Sequence, residues 1–151
     1  MSLVIETSVL TESDRADREV LARGHHGHFG EEVDDDGYER TWRRLLDDGP
    51  VRGILARLDG RVVAVAHHVF HAGVWSDDRC YLADLFVVPE ARRRGVATAM
   101  IERVARDAEE HGFPRLYWNA LEDSPARELY DRVADCRGLV VHSYRRDAHR
   151  D

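Results

Sequence analysis

Residues 81–97 read Y-L-A-D-L-F-V-V-P-E-A-R-R-R-G-V-A, and the reading of the fold turns on them. Leu85-Phe86-Val87-Val88 is an aromatic and β-branched run of the kind that suits a buried strand. Pro89 has no N–H to offer a neighbouring ladder, so it and Glu90 end that strand. Arg92, Arg93 and Arg94 lead to Gly95, and beyond it Val96, Met100, Ile101, Val104, Ala105 and Ala108 recur at helical spacing. Strand, short turn, glycine and helix start together bring free backbone N–H groups to one point. The first four N–H groups of a helix lack partners, and its N-terminus carries about half a unit of positive charge. Three arginines add cations at the same place, so the segment is built for a polyanion of pyrophosphate type.

Other phosphate loops do not fit. A nucleoside-triphosphatase loop needs G-x-x-x-x-G-K-[ST], and the chain contains no lysine at all. A dinucleotide fingerprint needs G-x-G-x-x-G, and this stretch has one glycine. A merely solvated arginine cluster would set like charge against the helix dipole.

The pattern Arg92-x-x-Gly95-x-Ala97, preceded by V-V-P-E and followed later by A-R-E-L-Y-D (Ala126 to Asp131), resembles the GNAT superfamily of acyl-CoA-dependent N-acyltransferases. The resemblance runs from Tyr81 to Tyr130, and more loosely over most of the chain. It implies acetyl-CoA as cosubstrate, with Arg92, Arg93, Arg94, Gly95, Val96, Ala97 and Thr98 around its pyrophosphate. Main-chain groups of Leu85, Phe86 and Val87 would run beside the pantetheine arm, one N–H pointing at the thioester oxygen. Tyr130 matches the tyrosine that protonates the departing thiolate in many members, a task within reach of a phenol of pKa about 10. Its plainer reading is a core aromatic on an amphipathic helix.

Two positions depart from the pattern. Many relatives carry an asparagine on the pantetheine where this chain has Asp123; Asn119 is nearby but not at the matching place. Polyamine-type members share Y-L-x-D-x-F-V, yet carry glutamate where Ala83 stands, so their usual base position is empty here. Asp84 follows, and on a regular strand it would face the other side from Ala83. A base, a substrate anchor and a packed acidic residue all remain open for it.

The 151 residues, 43% hydrophobic and 34% charged, bound the rest: one soluble domain over residues 1–151 is expected, which the resemblance makes an N-acetyltransferase domain. No apolar run reaches the roughly 18 to 20 residues of a membrane span. M-S-L-V-I-E-T lacks the features of a signal peptide, so cytoplasmic residence is expected. A formal charge of −7, from 22 basic and 29 acidic residues, argues against broad nucleic-acid binding and is compatible with a cationic substrate. A homodimer stays open. Cys80 and Cys136 make no disulfide framework.

In chain order, a first strand is expected at Leu3 to Glu6, and Thr11-Glu12-Ser13-Asp14 offers helix caps. Gly24 to Gly30, G-H-H-G-H-F-G, reads as a break and a mobile loop, for which a substrate-facing role stays open; His25, His26 and His28 have no metal-ligand spacing. Asp34-Asp35-Asp36 leads a helix with Tyr38, Trp42, Leu45 and Leu46 on one face. Val51 to Val74 reads as a hairpin turning at Asp59-Gly60, with His67, His68 and His71 on its far part as ordinary strand residues. After the long helix, His111 to Pro114 is a stop and Arg115 to Ala120 a strand. Ser124-Pro125 opens the helix of Leu129, Tyr130 and Val133; Gly138 to Arg145 closes as a strand and Asp147 to Asp151 as a frayed tail. The expected fold is α/β (α+β): one mixed, mostly antiparallel central sheet flanked by helices, GNAT-like.

The implied activity is acetyl transfer from acetyl-CoA to a primary amine of a small molecule, with no metal. A protein or peptide acceptor, and a non-catalytic acyl-CoA-binding sensor, are the alternatives.

Overall fold

The computed structural model describes residues 4–146. The chain divides into two compact units, with the boundary between Asn119 and Ala120.

The first unit is built on five strands in the order β1-β2-β3-β4-β5, which is also their order in the sequence. They are β1 (Ile5–Val9), β2 (Val51–Leu58), β3 (Arg61–His71), β4 (Arg79–Val87) and β5 (Arg115–Tyr117). The first three pairings are antiparallel and β4–β5 is parallel. Asp59 and Gly60 both take positive φ, 51° and 86°, as the two-residue turn of the β2–β3 hairpin requires. β1 begins two residues later than expected, at Ile5; Leu3 lies outside the described residues, as does the 147–151 tail.

Helix α1 (Arg15–Phe29) corrects the sequence reading most. It runs straight through the glycine-bracketed histidines to a left-handed Gly30. Gly24 is there for proximity, since a Cβ on it would stand 3.3 Å from Phe86 Cε1. The gain from packing α1 onto β4 outweighs the roughly 1 kcal/mol that a mid-helix glycine costs. A capping box at Thr11 and Asp14 leads into the helix, as expected from those residues. Helix α2 (Asp35–Leu46) starts where Asp34 accepts from the Gly37 N–H at 2.8 Å, and it buries Tyr38, Trp42 and Leu45. Helix α3 (Val96–Glu110) buries Val96, Met100, Ile101, Val104 and Ala108 on one stripe.

Alternation assigns the two sheet faces. Leu55 and Val65 pack with Leu21 of α1, joined by Phe86. On the other face His68, wholly buried, sets Nε2 2.9 Å from Asp107 Oδ2 of α3. Facing a carboxylate, Nε2 carries the proton of the neutral ring, and Nδ1, which meets no partner among the described residues, holds the lone pair.

In the second unit, α4 (Arg127–Val133) starts two residues later than the Ser124-Pro125 signal suggests, with Ser124 Oγ accepting from the Ala126 N–H at 3.3 Å. The closing strand does not form: residues 138–145 have no regular structure, and Leu139, Val140 and Val141 are exposed. Strand propensity alone does not make a strand without a ladder to join.

Burial pushes the His68 imidazole below its ordinary pKa, outweighing the pull of Asp107, and the same holds for His67. The unfolded chain therefore binds protons that the fold resists, and stability is full above about pH 6.5 and falls as pH drops through it. We expect the urea midpoint to be lower at pH 5 than at pH 7.5, above the range where carboxylates titrate. An equal midpoint would mean that folded and unfolded chains take up the same protons over this interval, so that burial does not resist charging either ring.

Candidate active site

The quoted segment folds as β4, a 3₁₀ turn over Pro89–Ala91, and α3. Arg93 and Gly95 are both left-handed, at φ 63° and 81°. Among the described residues no group accepts from the amides of Arg93 through Thr98, and the first turn of α3 carries no acidic side chain. A Cβ on Gly95 would stand in open space, so its φ, not crowding, demands glycine. The loop presents six backbone donors ahead of a fifteen-residue helix, an arrangement suited to an anion. It fits a pyrophosphate in both charge and hydrogen-bonding sense.

The three arginines are not equivalent. Arg92 folds back, its Nε donating to the Val87 carbonyl at 3.0 Å and its guanidinium 5.9 Å from the Phe86 ring. Arg93 and Arg94 are exposed. Val96 is buried, with Ala97 and Thr98 half-buried beside it.

Strand β5 pairs only with Arg79, Cys80 and Tyr81. From Leu82 to Val87 that edge of β4 has no strand partner among the described residues. Leu85, Phe86 and Val87 are accordingly half-buried and not a buried core strand. Their main-chain edge, joined by no strand although Arg92 occupies the Val87 carbonyl, suits a ligand that hydrogen-bonds like a strand. Asn119 lies past the end of β5, which stops at Tyr117, three residues short of the expected strand; its amide is 3.5 Å from Tyr81 Oη.

Asp84 does not sit on a regular strand. His68 pairs with Leu82 and His67 with Asp84, leaving Ala83 as an extra, bulged residue. The bulge turns Asp84 to the α1 face. There His67 Nδ1 is 2.9 Å from Asp84 Oδ2 and His25 Nε2 is 3.4 Å from Oδ1. Desolvation works to raise the Asp84 pKa, but hydrogen bonds from His25 and His67 outweigh it and hold the carboxyl well below the usual range. Asp84 is a carboxylate at neutral pH.

Sequence reasoning missed Arg18, His25 and His67. The helical spacing of Arg18, Leu21, Ala22 and His25 was available, had Gly24 not been read as a break. His26 belongs to a neighbouring contact, its Nδ1 2.7 Å from Tyr38 Oη. Of the remaining predicted residues, Asp123 lies exposed in a turn of the second unit and Tyr130 on α4, half-buried, its phenol pKa raised by burial. Among the described residues no group of three or more histidine, cysteine or acidic side chains is arranged to hold a metal ion. No described helix is long and apolar enough to cross a membrane.

The family model described as the acetyltransferase (GNAT) family matches residues 17–134. The chain belongs to that family. A D-amino-acid N-acetyltransferase of Saccharomyces cerevisiae is 35% identical over 77 residues, covering 50% of this chain and 48% of the yeast protein. A thialysine N-epsilon-acetyltransferase of Caenorhabditis elegans is 26% identical over 92 residues, 60% of this chain and 58% of the other. The matched stretches thus span about half the length of these relatives. Among solved structures, AAC(6')-Iy in complex with the bisubstrate analog CoA-S-monomethyl-acetylneamine superposes with a TM-score of 0.83 at 17% identity, covering 94% of this chain and 97% of that one. The GNAT-like mixed sheet expected from sequence is the fold observed.

Because Gly95 is held at φ 81° with room for a methyl, Gly95→Ala is expected to cost about 1–2 kcal/mol from backbone strain alone. Urea denaturation would read this as a lower midpoint with an unchanged m-value. A midpoint equal to wild type would mean that the loop relaxes out of the left-handed region.

Proposed function

We propose that this chain transfers an acetyl group from acetyl-CoA to the primary amine of a small molecule, directly within a ternary complex. The observation that carries the reading is the cradle of unsatisfied amides from Arg93 to Thr98, next to the unpaired edge of β4. Family membership and the N-acetyltransferase names of the relatives support it. The match over residues 17–134 supports reading the chain as one acetyltransferase domain.

Bound acetyl-CoA supplies an acyl group activated as a thioester. The amides of Arg93 to Thr98, with the Arg93 and Arg94 side chains, hold its pyrophosphate. Leu85, Phe86 and Val87 align the pantetheine arm by main-chain hydrogen bonds, and one N–H there stabilises charge on the carbonyl oxygen. Asp84 receives the incoming ammonium as an anchor. The ion sheds one proton to water before its nitrogen attacks the thioester carbonyl, and the proton the nitrogen loses on collapse restores the one Tyr130 gives to sulfur. A carboxylate whose pKa is depressed is a poor proton acceptor at neutral pH, which favours holding over deprotonating. Tyr130 gives its phenolic proton to the departing sulfur, on the strength of the family pattern. Asn119 and Asp123 flank the pantetheine in the same proposal.

The reading is tested by thiol release from acetyl-CoA with D-phenylalanine, thialysine and neamine as acceptors. We expect Gly95→Glu to abolish coenzyme A binding in calorimetry, while Gly95→Ala, its control for strain, binds within a few-fold of wild type. Wild-type affinity in a folded Gly95→Glu protein would remove the loop from the site. Tyr130→Phe is expected to keep acetyl-CoA affinity and to lose roughly a hundred- to ten-thousandfold in turnover. Normal turnover would give the proton transfer to another group.

A further inference from the structure

Behind Asp84 stands a relay that the reaction as proposed leaves unused. Arg18 on α1 is 2% exposed, and its Nε and Nη2 both lie 3.2 Å from His67 Nε2. A guanidinium only donates, so that ring nitrogen must accept. The one proton of a neutral His67 is then on Nδ1, which donates to Asp84 Oδ2 at 2.9 Å. Protonating His67 would set an N–H against a buried guanidinium. The ring is thereby held neutral and in one tautomer, and one lone pair of Asp84 is fixed in direction. His25 meets the other oxygen at 3.4 Å. Two of the roughly four acceptor positions of the carboxylate remain, on a side chain that is 37% exposed.

We propose that Arg18 and His67 are positioning residues that hold Asp84 as a fixed, aimed carboxylate, so that the enzyme takes its acceptor as the ammonium ion. This rests on the reading of Asp84 as the acceptor-side residue. The charged and titratable groups around the relay are Arg18, Glu19 and His25 from α1, Tyr38 from α2, and His67 from β3. Burial and the Arg18 charge keep His67 below its ordinary pKa, consistent with the neutral ring. A simple charge balance would have let Arg18 reach Asp84 directly. The interposed imidazole instead converts a cation, which attracts from any angle, into a directional N–H donor.

The test compares His67→Leu, His67→Gln, Arg18→Met and Asp84→Asn, using the panel amine with the highest turnover. Glutamine carries both an acceptor for Arg18 and a donor for Asp84. His67→Leu and Arg18→Met are expected to raise the KM for the amine roughly ten- to a hundredfold, the worth of a charged hydrogen bond, with the KM for acetyl-CoA unchanged. In His67→Leu the acid limb of kcat/KM against pH moves upward toward the ordinary carboxylate range, and His67→Gln recovers most of both effects. If Asp84→Asn leaves the amine KM at wild type, the acceptor-side reading fails and the relay with it. If Asp84→Asn is impaired while His67→Leu and Arg18→Met are not, the relay alone is overturned. Equal impairment of His67→Leu and His67→Gln with a stationary acid limb makes His67 a packing residue and also overturns it. Nitrogen-15 imidazole shifts of the wild-type protein at pH 7 give a readout free of mutation or turnover. A neutral Nδ1–H tautomer is expected at His67; an Nε2–H tautomer or an imidazolium ends the proposal.

Discussion

The site depends on one inserted residue. Ala83 adds a place to β4 that β3 does not match, and side-chain parity reverses across it. Before the bulge Leu82 faces α3 opposite His68; after it Asp84 faces α1 opposite His67, and Phe86 follows on the same side. On an unbulged strand Asp84 would share the face of Leu82, against the buried stripe of α3. A carboxylate there would lose its hydration with no imidazole in reach, a cost of several kcal/mol. The bulge thus separates an apolar face that holds the sheet to α3 from a polar one that meets α1.

Helix α3 links the two faces of this design. Its buried stripe from Val96 to Ala108 fixes the helix against the sheet, and near its far end Asp107 meets His68. Its first turn is left undressed, without acidic side chains or a capping side chain. An N-terminus without a cap ordinarily costs about 1 kcal/mol. Here the rest of the helix supplies enough packing for those amides to stay available to a ligand.

What could be read in advance was what local sequence dictates. The Asp59-Gly60 turn, the Pro89 stop, the acidic lead of α2 and the amphipathic stripe of α3 each depend on residues a few places apart. The loop over residues 92–97 is local too. The polar network around Asp84 is not local: Arg18 and His67 are 49 residues apart and His67 and Asp84 are 17 apart. Gly24 misled because a glycine that permits close approach looks, in one dimension, like a glycine that breaks a helix. Residues 138–145 misled in the opposite sense, since the apolar run Leu139-Val140-Val141 resembles a strand while the ladder that would complete one is missing among the described residues. The bulge itself has no one-strand signature, because it exists only as a mismatch with β3.

Strand order equal to sequence order has a kinetic consequence. β2, β3 and β4 are joined by the short connections 59–60 and 72–78, so their pairings close small loops at low entropic cost. The pairing of β5 with β4 must wait for a crossover that includes the whole of α3, and β1 is separated from β2 by α1 and α2. A three-strand nucleus that forms early would already contain the bulge, and with it the orientation of Asp84, before the helix meant to meet it has docked. Pulsed hydrogen exchange during refolding would show amides of β3 protected ahead of those of α1; the reverse order would place the helix, and not the hairpin, at the start.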